Sequence, residues 1–309
     1  MPIVSVVIPT RNRPALLLRS VRSALSQTLR DIEVVVVIDG PDELTEASLA
    51  TVQDARLRVV SLPESLGGCE ARNRGAEAAQ GKWVAYLDDD DEWMAEKLDK
   101  QLAKGSTSKF RLPVIASKLI ARSPTTDYIW PWSEPHMPIG DYMLRRRSPF
   151  KGDGVLQTST LMAPRELLMI CPFTKGLRKH QEADWLIRAM EVPEAGLEFV
   201  SEPLTIWYIE EKRQGIGAFN DWRYSLDWAN RMRPKITPEA YSSFLLTYVA
   251  ASASNHGHWK AFMPLLTSSI NRGSARPIQL ILFLGIWLVP VQARSFLRGL
   301  VTHHKAPVK

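Results

Sequence analysis

Apolar residues in the first hundred positions come as short unbroken runs, separated by stretches of helical spacing. Residues 3–9, rich in Val and Ile and stopped by Pro9, predict a buried strand. Pro14 stands where a helix can begin, and Leu17, Val21, Ala24 and Leu25 recur at helical spacing through position 28. EVVVVID at 33–39 predicts a second buried strand, ending on a carboxylate and Gly40. Residues 57–61 predict a third, shorter strand. Residues 68–80 contain several alanines and no β-branched residue, which predicts a helix closed by Gly81. KWVAYL at 82–87 predicts another strand that runs straight into DDDDEW, and a helix rich in Lys, Glu and Leu follows to about residue 104.

Strands alternating with helices imply βαβ units and a mostly parallel sheet. Ligands of such sheets bind beyond the carboxyl ends of the strands. Two of these ends are acidic, at Asp39 and Asp88, and the connectivity puts both on one rim. The middle of the chain is mixed: 114–121, 155–162 and 197–208 predict strands and 182–190 a helix. Residues 128–138, dense in Trp and Pro, read as a loop with aromatic faces, and Trp130 and Trp132 suit either a sugar face or a loop anchor. From about residue 217 the pattern turns helical, over 221–232, 238–254, 258–270 and 277–292. The last contains ILFLGIWLVPV, too short to span a bilayer and interrupted by Pro290. Arg272, Arg276, Arg294, Arg298 and Lys305 flank it. Two readings stand: a helix buried against protein, or one lying on an anionic membrane surface through 278–300.

Composition narrows this only a little. A net charge of +6 suits an anionic partner without choosing among nucleic acid, phosphorylated substrate and lipid. Basic residues are dispersed, apart from 145–147, and the acidic rim argues against a nucleic-acid partner. Two cysteines, Cys69 and Cys171, exclude a disulfide framework and a cysteine-built zinc site. MPIVSVVIPTRNRP lacks the pattern of a signal peptide, so a cytoplasmic enzyme is expected. A peripheral position on the cytoplasmic face of the inner membrane goes with the second reading of 278–300.

The chemistry starts at Asp88, Asp89, Asp90 and Asp91. Adjacent carboxylates at the end of an apolar strand need a counter-charge, and Mn2+ or Mg2+ with oxygen ligands supplies it. Asp39 starts a turn or accepts from a nucleotide. Arg72 offers a fork of donors to oxyanions, and Thr10, Arg11 and Arg13 follow the first strand on the same rim. The chain has no GxGxxG after its first strand, no GxxxxGK[ST] and no GxSxG, which removes support for dehydrogenases, P-loop enzymes and α/β-hydrolases. A nucleotidyltransferase is the rival enzyme class, but PTRNRP is not a Gly- and Lys-rich phosphate loop.

PTRNR (9–13), VVVVIDG (34–40), ARNRG (71–75), WVAYLDDDDEW (83–93) and HQEADWLIRA (180–189), in this order, resemble the family 2 inverting glycosyltransferases. The resemblance covers about the first 210 residues. It implies an α/β fold of GT-A type, Rossmann-like, with a mostly parallel central sheet flanked by helices and a helical C-terminal extension. It implies a catalytic domain over 1–215, with a nucleotide half to about 105 and an acceptor half after it, and a helical region over 216–309. The implied activity moves a sugar, with a UDP-linked donor expected, onto a glycan or lipid-linked acceptor in cell-surface polysaccharide synthesis. By the same resemblance Pro9, Thr10, Arg11, Arg13, Asp39, Arg72, Asp88 and Asp89 bind the nucleotide sugar. Asp90, with Asp88, holds the metal, and Asp91 shapes the loop. The family's ED pair aligns with Gln181-Glu182, which makes Glu182 the expected base and Asp184 its alternative. Thr158 and Trp185 are expected at the acceptor. The chain departs from the family in having Ile38 where a first aspartate is common, and Glu182 where the base is usually aspartate.

Overall fold

A computed structural model describes residues 1–124, 126–146, 154, 156–209, 221–290 and 293. The chain divides into two compact units, Met1–Glu134 with Leu156–Lys212, and Pro135–Val155 with Arg213–Lys309.

The first unit is built on one sheet. Strands β1 (Val4–Thr10), β2 (Ile32–Ile38), β3 (Leu57–Ser61) and β4 (Trp83–Tyr86) lie parallel in the order β3-β2-β1-β4. β1 and β2 are covered on both faces, which is why they read as unbroken Val and Ile runs rather than alternating ones. Helices α1 (Pro14–Leu25), α2 (Glu43–Ala50) and α3 (Gly68–Ala78) make the crossovers. α3 packs so close that a Cβ at Gly75 would lie 2.2 Å from Val7 Cγ1. Only glycine permits that approach.

Beyond β4 the sheet becomes mixed. The two-residue β5 (Glu92–Trp93), helix α4 (Lys97–Ser106), and strands β6 (Leu112–Arg122) and β7 (Asp127–Trp130) lead to helix α5 (Ile139–Leu144), which belongs to the second unit. A 3-10 turn, Thr158–Thr160, then precedes β8 (Met162–Pro164), α6 (Arg165–Ile170), α7 (Gln181–Ala189) and β9 (Ala195–Tyr208). β8 is antiparallel to β4 and β6, and β9 runs parallel to β6, giving the order β3-β2-β1-β4-β8-β6-β9-β5. The parallel half is the one legible in the sequence. The strand expected over 155–162 is instead the 3-10 turn followed by β8, because the turn's carbonyls bind partners distant in sequence. Trp93 Nε1 donates to Ser159 O at 2.8 Å and Gln101 Nε2 to Thr160 O at 2.8 Å. The aromatic loop expected over 128–138 begins inside β7, which pairs with β6. α2, α5, α6 and β5 were not anticipated. All are short, and the start of α2 rests on a single cap, Asp42 accepting from Thr45 N at 3.1 Å.

The second unit is helical. α8 (Trp222–Met232) is followed by α9 (Pro238–Ser243), which continues through a π-helical stretch, Phe244–Val249, into α10 (Ala250–Asn255). This continuous rod is the helix expected over 238–254. α11 (Phe262–Arg272) and α12 (Pro277–Leu288) complete the unit. Segment 135–155 joins it rather than the first unit: Thr237 Oγ1 donates to Asp141 Oδ1 at 2.7 Å, and Arg145 pairs with Glu239 at 2.6 Å. The boundary expected at 215/216 lies outside the described residues, as do Arg147, Arg294, Arg298, Lys305 and most of 291–300. Among the described residues no helix is long and apolar enough to cross a membrane.

Candidate active site

The carboxyl ends of β1, β2 and β4 share one rim, since Thr10 registers with Ile38 and Val7 with Tyr86. The acidic loop 88–91 leaves β4 there, and the side chains that follow β1 hold it. Thr10 Oγ1 donates to Asp89 Oδ2 at 2.7 Å. The Arg13 guanidinium reaches Asp89 Oδ1 at 3.1 Å and Asp90 Oδ2 at 3.2 Å. From α1, Arg19 donates to Asp90 O at 2.7 Å and Ser20 Oγ to Asp91 O at 2.6 Å. Burial pushes the Asp89 carboxyl up to about 6, against the lowering effects of Arg13 and Thr10.

The four aspartates therefore differ. Asp91 is fully buried and accepts from Ser159 Oγ at 2.6 Å. The same hydroxyl accepts from Asp88 N at 3.0 Å. Asp91 shapes the loop from below, while Asp88, Asp89 and Asp90 carry the ion pairs with Arg72 and Arg13.

Arg72, on α3, is buried and joins two elements. Its Nη2 donates to Asp88 Oδ1 at 2.6 Å and its Nη1 to Gln181 Oε1 at 2.7 Å. Burial works to lower its pKa, but the charges of Asp88 and Glu182 leave it raised. Arg72 is thus a fixed cation at the junction of the acidic loop and the start of α7.

α7 begins after His180, which sits in the left-handed region at φ 65°. Glu182, in its first turn, is partly exposed and accepts from Thr158 Oγ1 at 2.7 Å. Asp184 is buried, accepts from Thr174 Oγ1 at 2.6 Å and pairs with Arg188 at 2.9 Å. The two carboxylates thus have different partners: Asp184 ties α7 to Thr174 and Arg188, and Glu182 is held by Thr158. Thr158 is itself fully buried and reaches Glu182, so its hydroxyl serves the carboxylate. The expectation of an acceptor contact at Trp185 is corrected. Trp185 is fully buried, stacks on Phe173 at 5.2 Å and donates Nε1 to Cys171 O at 2.8 Å. It has no face to offer a sugar.

Asp39 is engaged by the turn after β3: Leu66 N donates to it at 2.7 Å, Ser65 Oγ at 2.8 Å and Gly67 N at 3.0 Å. Arg11 donates to the same Ser65 hydroxyl, and Pro9 lies within β1. The hydroxyls of QTSTL (157–161) were candidates for acceptor contacts, but sequence reasoning did not find the bonds Ser159 makes to the acidic loop, nor Arg19 or Ser20. Their partners lie about 70 positions away, and no local pattern marks them.

The donor set fits a hard divalent cation. Among the described residues no three His, Cys, Asp or Glu side chains converge on one metal position. A cation here would take one or two of the loop carboxylates and complete its shell with phosphate oxygens and water, as Mg2+-type ions do. The Arg13 and Arg72 guanidiniums hold the carboxylates of Asp88, Asp89 and Asp90 together on the rim.

A half-Rossmann sheet whose carboxyl rim carries an arginine-clasped acidic loop, continued by a mixed half, is the architecture of GT-A glycosyltransferases. The comparisons agree. S. aureus TarS in complex with UDP-GlcNAc superposes with a TM-score of 0.60 at 15% identity, over 95% of this chain and 92% of that one. Mannosyltransferase PcManGT from Pyrobaculum calidifontis, in complex with GDP-Man and Mn2+, gives 0.56 at 17% identity, over 98% and 84%. The profile of Glycosyl transferase family 2 matches residues 5–168, and the chain belongs to that family. It is a glycosyltransferase. The amylovoran biosynthesis glycosyltransferase AmsB of Erwinia amylovora is 27% identical over 244 residues, 75% of this chain and 78% of that protein. The putative teichuronic acid biosynthesis glycosyltransferase TuaG of Bacillus subtilis is 40% identical over 103 residues, and the match spans only 41% of its length.

Proposed function

We propose that this chain is an inverting glycosyltransferase that transfers a sugar from a UDP-linked donor to a hydroxyl of a glycan or lipid-linked acceptor in cell-surface polysaccharide synthesis. The observation that carries the reading is the span of Arg72, from Asp88 on the acidic loop to Gln181, the neighbour of Glu182. One side chain brings the leaving-group side and the base side together. The relatives support the biological setting. AmsB and TuaG are named for polysaccharide synthesis, and the E. coli relative WfaP is named as a UDP-Glc:alpha-D-GlcNAc-diphosphoundecaprenol beta-1,3-glucosyltransferase.

In this reading Thr10, Arg11 and Arg13 line the nucleotide side, with Pro9 fixing the end of β1. Asp39 holds the 65–67 turn that walls it. Asp89 orients the ribose, and Asp90 with Asp88 would hold the cation. Mn2+ or Mg2+, when bound, supplies positive charge to the leaving diphosphate. Arg72 adds a fixed cation there, preorganised before any charge develops. Glu182 takes the proton of the attacking acceptor hydroxyl, and Thr158 aims it. A single displacement from the face opposite the diphosphate inverts the anomeric centre, and no protein nucleophile takes part. The enzyme works at the cytoplasmic face of a membrane, where a lipid-linked acceptor resides.

A donor screen with Mn2+ tests this, scoring nucleoside diphosphate release from UDP-, GDP- and dTDP-sugars. UDP release that depends on acceptor, with the product of inverted anomeric configuration, is expected. Pyrophosphate release from a nucleoside triphosphate and a sugar 1-phosphate, supplied in a parallel assay, would make the protein a nucleotidyltransferase instead, and a retained configuration would remove the single-displacement mechanism.

A further inference from the structure

α12 is built inside out for a surface helix. Pro277–Leu288 contains no charged residue, and its one polar side chain, Gln279, is buried at the helix start, where its Oε1 accepts from Arg276 N at 3.0 Å. The inner face is apolar as well, with Phe283 and Trp287 buried. The outer face presents Ile278, Ile281, Leu284 and Leu288, at 39%, 64%, 46% and 72% exposure. Spacings of three and four put these on one stripe of a helix. Trp259 is 59% exposed and lies 5.1 Å from Trp287, and Met263, one turn further on, is 59% exposed. An apolar stripe beside an exposed tryptophan is the composition of a surface that meets something non-aqueous.

The charge pattern says what. Residues 240–309 contain seven Lys or Arg and no Asp or Glu, so this stretch is strongly basic while the rest of the chain is close to balanced. Arg272 and Arg276 are exposed just before α12, Arg276 paired with Glu239 at 2.6 Å and Arg272 facing the neutral Asn230. A second copy of the chain would bring two stretches of the same charge together, whereas a lipid surface of opposite sign suits both the charge of the stretch and the apolar face. Twelve residues of helix span roughly 18 Å, well short of the ~30 Å hydrocarbon core, so α12 by itself is too short to cross a bilayer.

We infer that the Ile281–Leu288 face of α12, with Trp259, docks the protein on an anionic phospholipid bilayer. This shares the lipid-linked acceptor with the proposed function but is measured apart from it. The full chain is sedimented with phosphatidylglycerol–phosphatidylcholine vesicles and with phosphatidylcholine alone, at low and high salt. Ile281→Glu/Leu288→Glu is the variant, since both positions are exposed and the fold does not need them. The expected result is binding to anionic vesicles that weakens with salt and drops at least about tenfold on neutral vesicles and in the variant. Donor hydrolysis by the variant should be unchanged, which separates this surface from the active site. Three results overturn the inference: no binding of the natural chain, equal binding of the variant, or an α12-dependent dimer by sedimentation velocity without vesicle binding.

Discussion

Thr158 Oγ1 donates to Glu182 Oε1 at 2.7 Å, while its neighbour Ser159 holds both Asp88 N and the Asp91 carboxylate. Two adjacent hydroxyls on one 3-10 turn thus hold Glu182, the proposed base, and the acidic loop together. Removing the first hydroxyl without changing shape should detach only the base. Thr158→Val is expected to lower kcat roughly 10- to 100-fold, the range for loss of an outer-shell partner, with donor KM retained. Thr158→Ser should restore most of the rate. Steady-state kinetics of both variants decide it, and equal rates for Ser and Val would mean that the hydroxyl does not aim the base.

Arg72 spans Asp88 and Gln181 with two separate nitrogens. Lysine has charge but no fork, so Arg72→Lys should keep at most one contact. A fall in kcat/KM of about 10²–10³ is expected, as for loss of a preorganised donor at developing charge. Gln181→Ala should cost less, because the Asp88 contact stays. UDP affinity by calorimetry separates ground-state binding from rate. Arg72→Lys with natural activity would show that the span is not used.

Asp90 and Asp91 are neighbours with opposite expected phenotypes. Asp91 is fully buried on Ser159, so Asp91→Ala should destabilise the fold by about 1–3 kcal/mol, the cost of stranding a buried polar partner. Asp90→Ala should leave the melting temperature near that of the natural chain and abolish the response to Mn2+. Thermal melts with and without MnCl2, beside turnover, test both. Metal-dependent transfer that survives Asp90→Ala would refute the ligand assignment.

The centre of the parallel half was legible because β1 and β2 are covered on both faces, so burial writes itself into the sequence as a Val and Ile run. The acidic loop was legible because its charges are contiguous. The turn at 158–160 was not, since TST has strand-like composition and its shape is imposed by Trp93 and Gln101 from another part of the chain. Trp185 misled for a related reason. It was expected at the acceptor, and only the packing of Phe173 against it shows a core residue. The separation of Glu182 from Asp184 also needed tertiary contacts: the i,i+4 pairing with Arg188 was visible in sequence, whereas Thr158 reaching Glu182 was not.

His180 opens the helix that carries Glu182, and it should make that helix sensitive to acid. Burial, with Lys179 adding to it, pushes the imidazole from 6.5 down to about 3. Between those values the unfolded chain binds a proton at this position and the folded chain does not. Stability from this group is therefore complete above about pH 6.5 and is lost progressively as pH falls toward 3. Asparagine tolerates the left-handed φ of 65° and does not titrate. His180→Asn should thus reduce the drop in melting temperature between pH 7.5 and pH 5 without lowering the melting temperature at pH 7.5 by much. Melting curves of both proteins across that range give the comparison. Parallel pH profiles would show that the His180 imidazole is charged in the folded protein and that the acid sensitivity lies elsewhere.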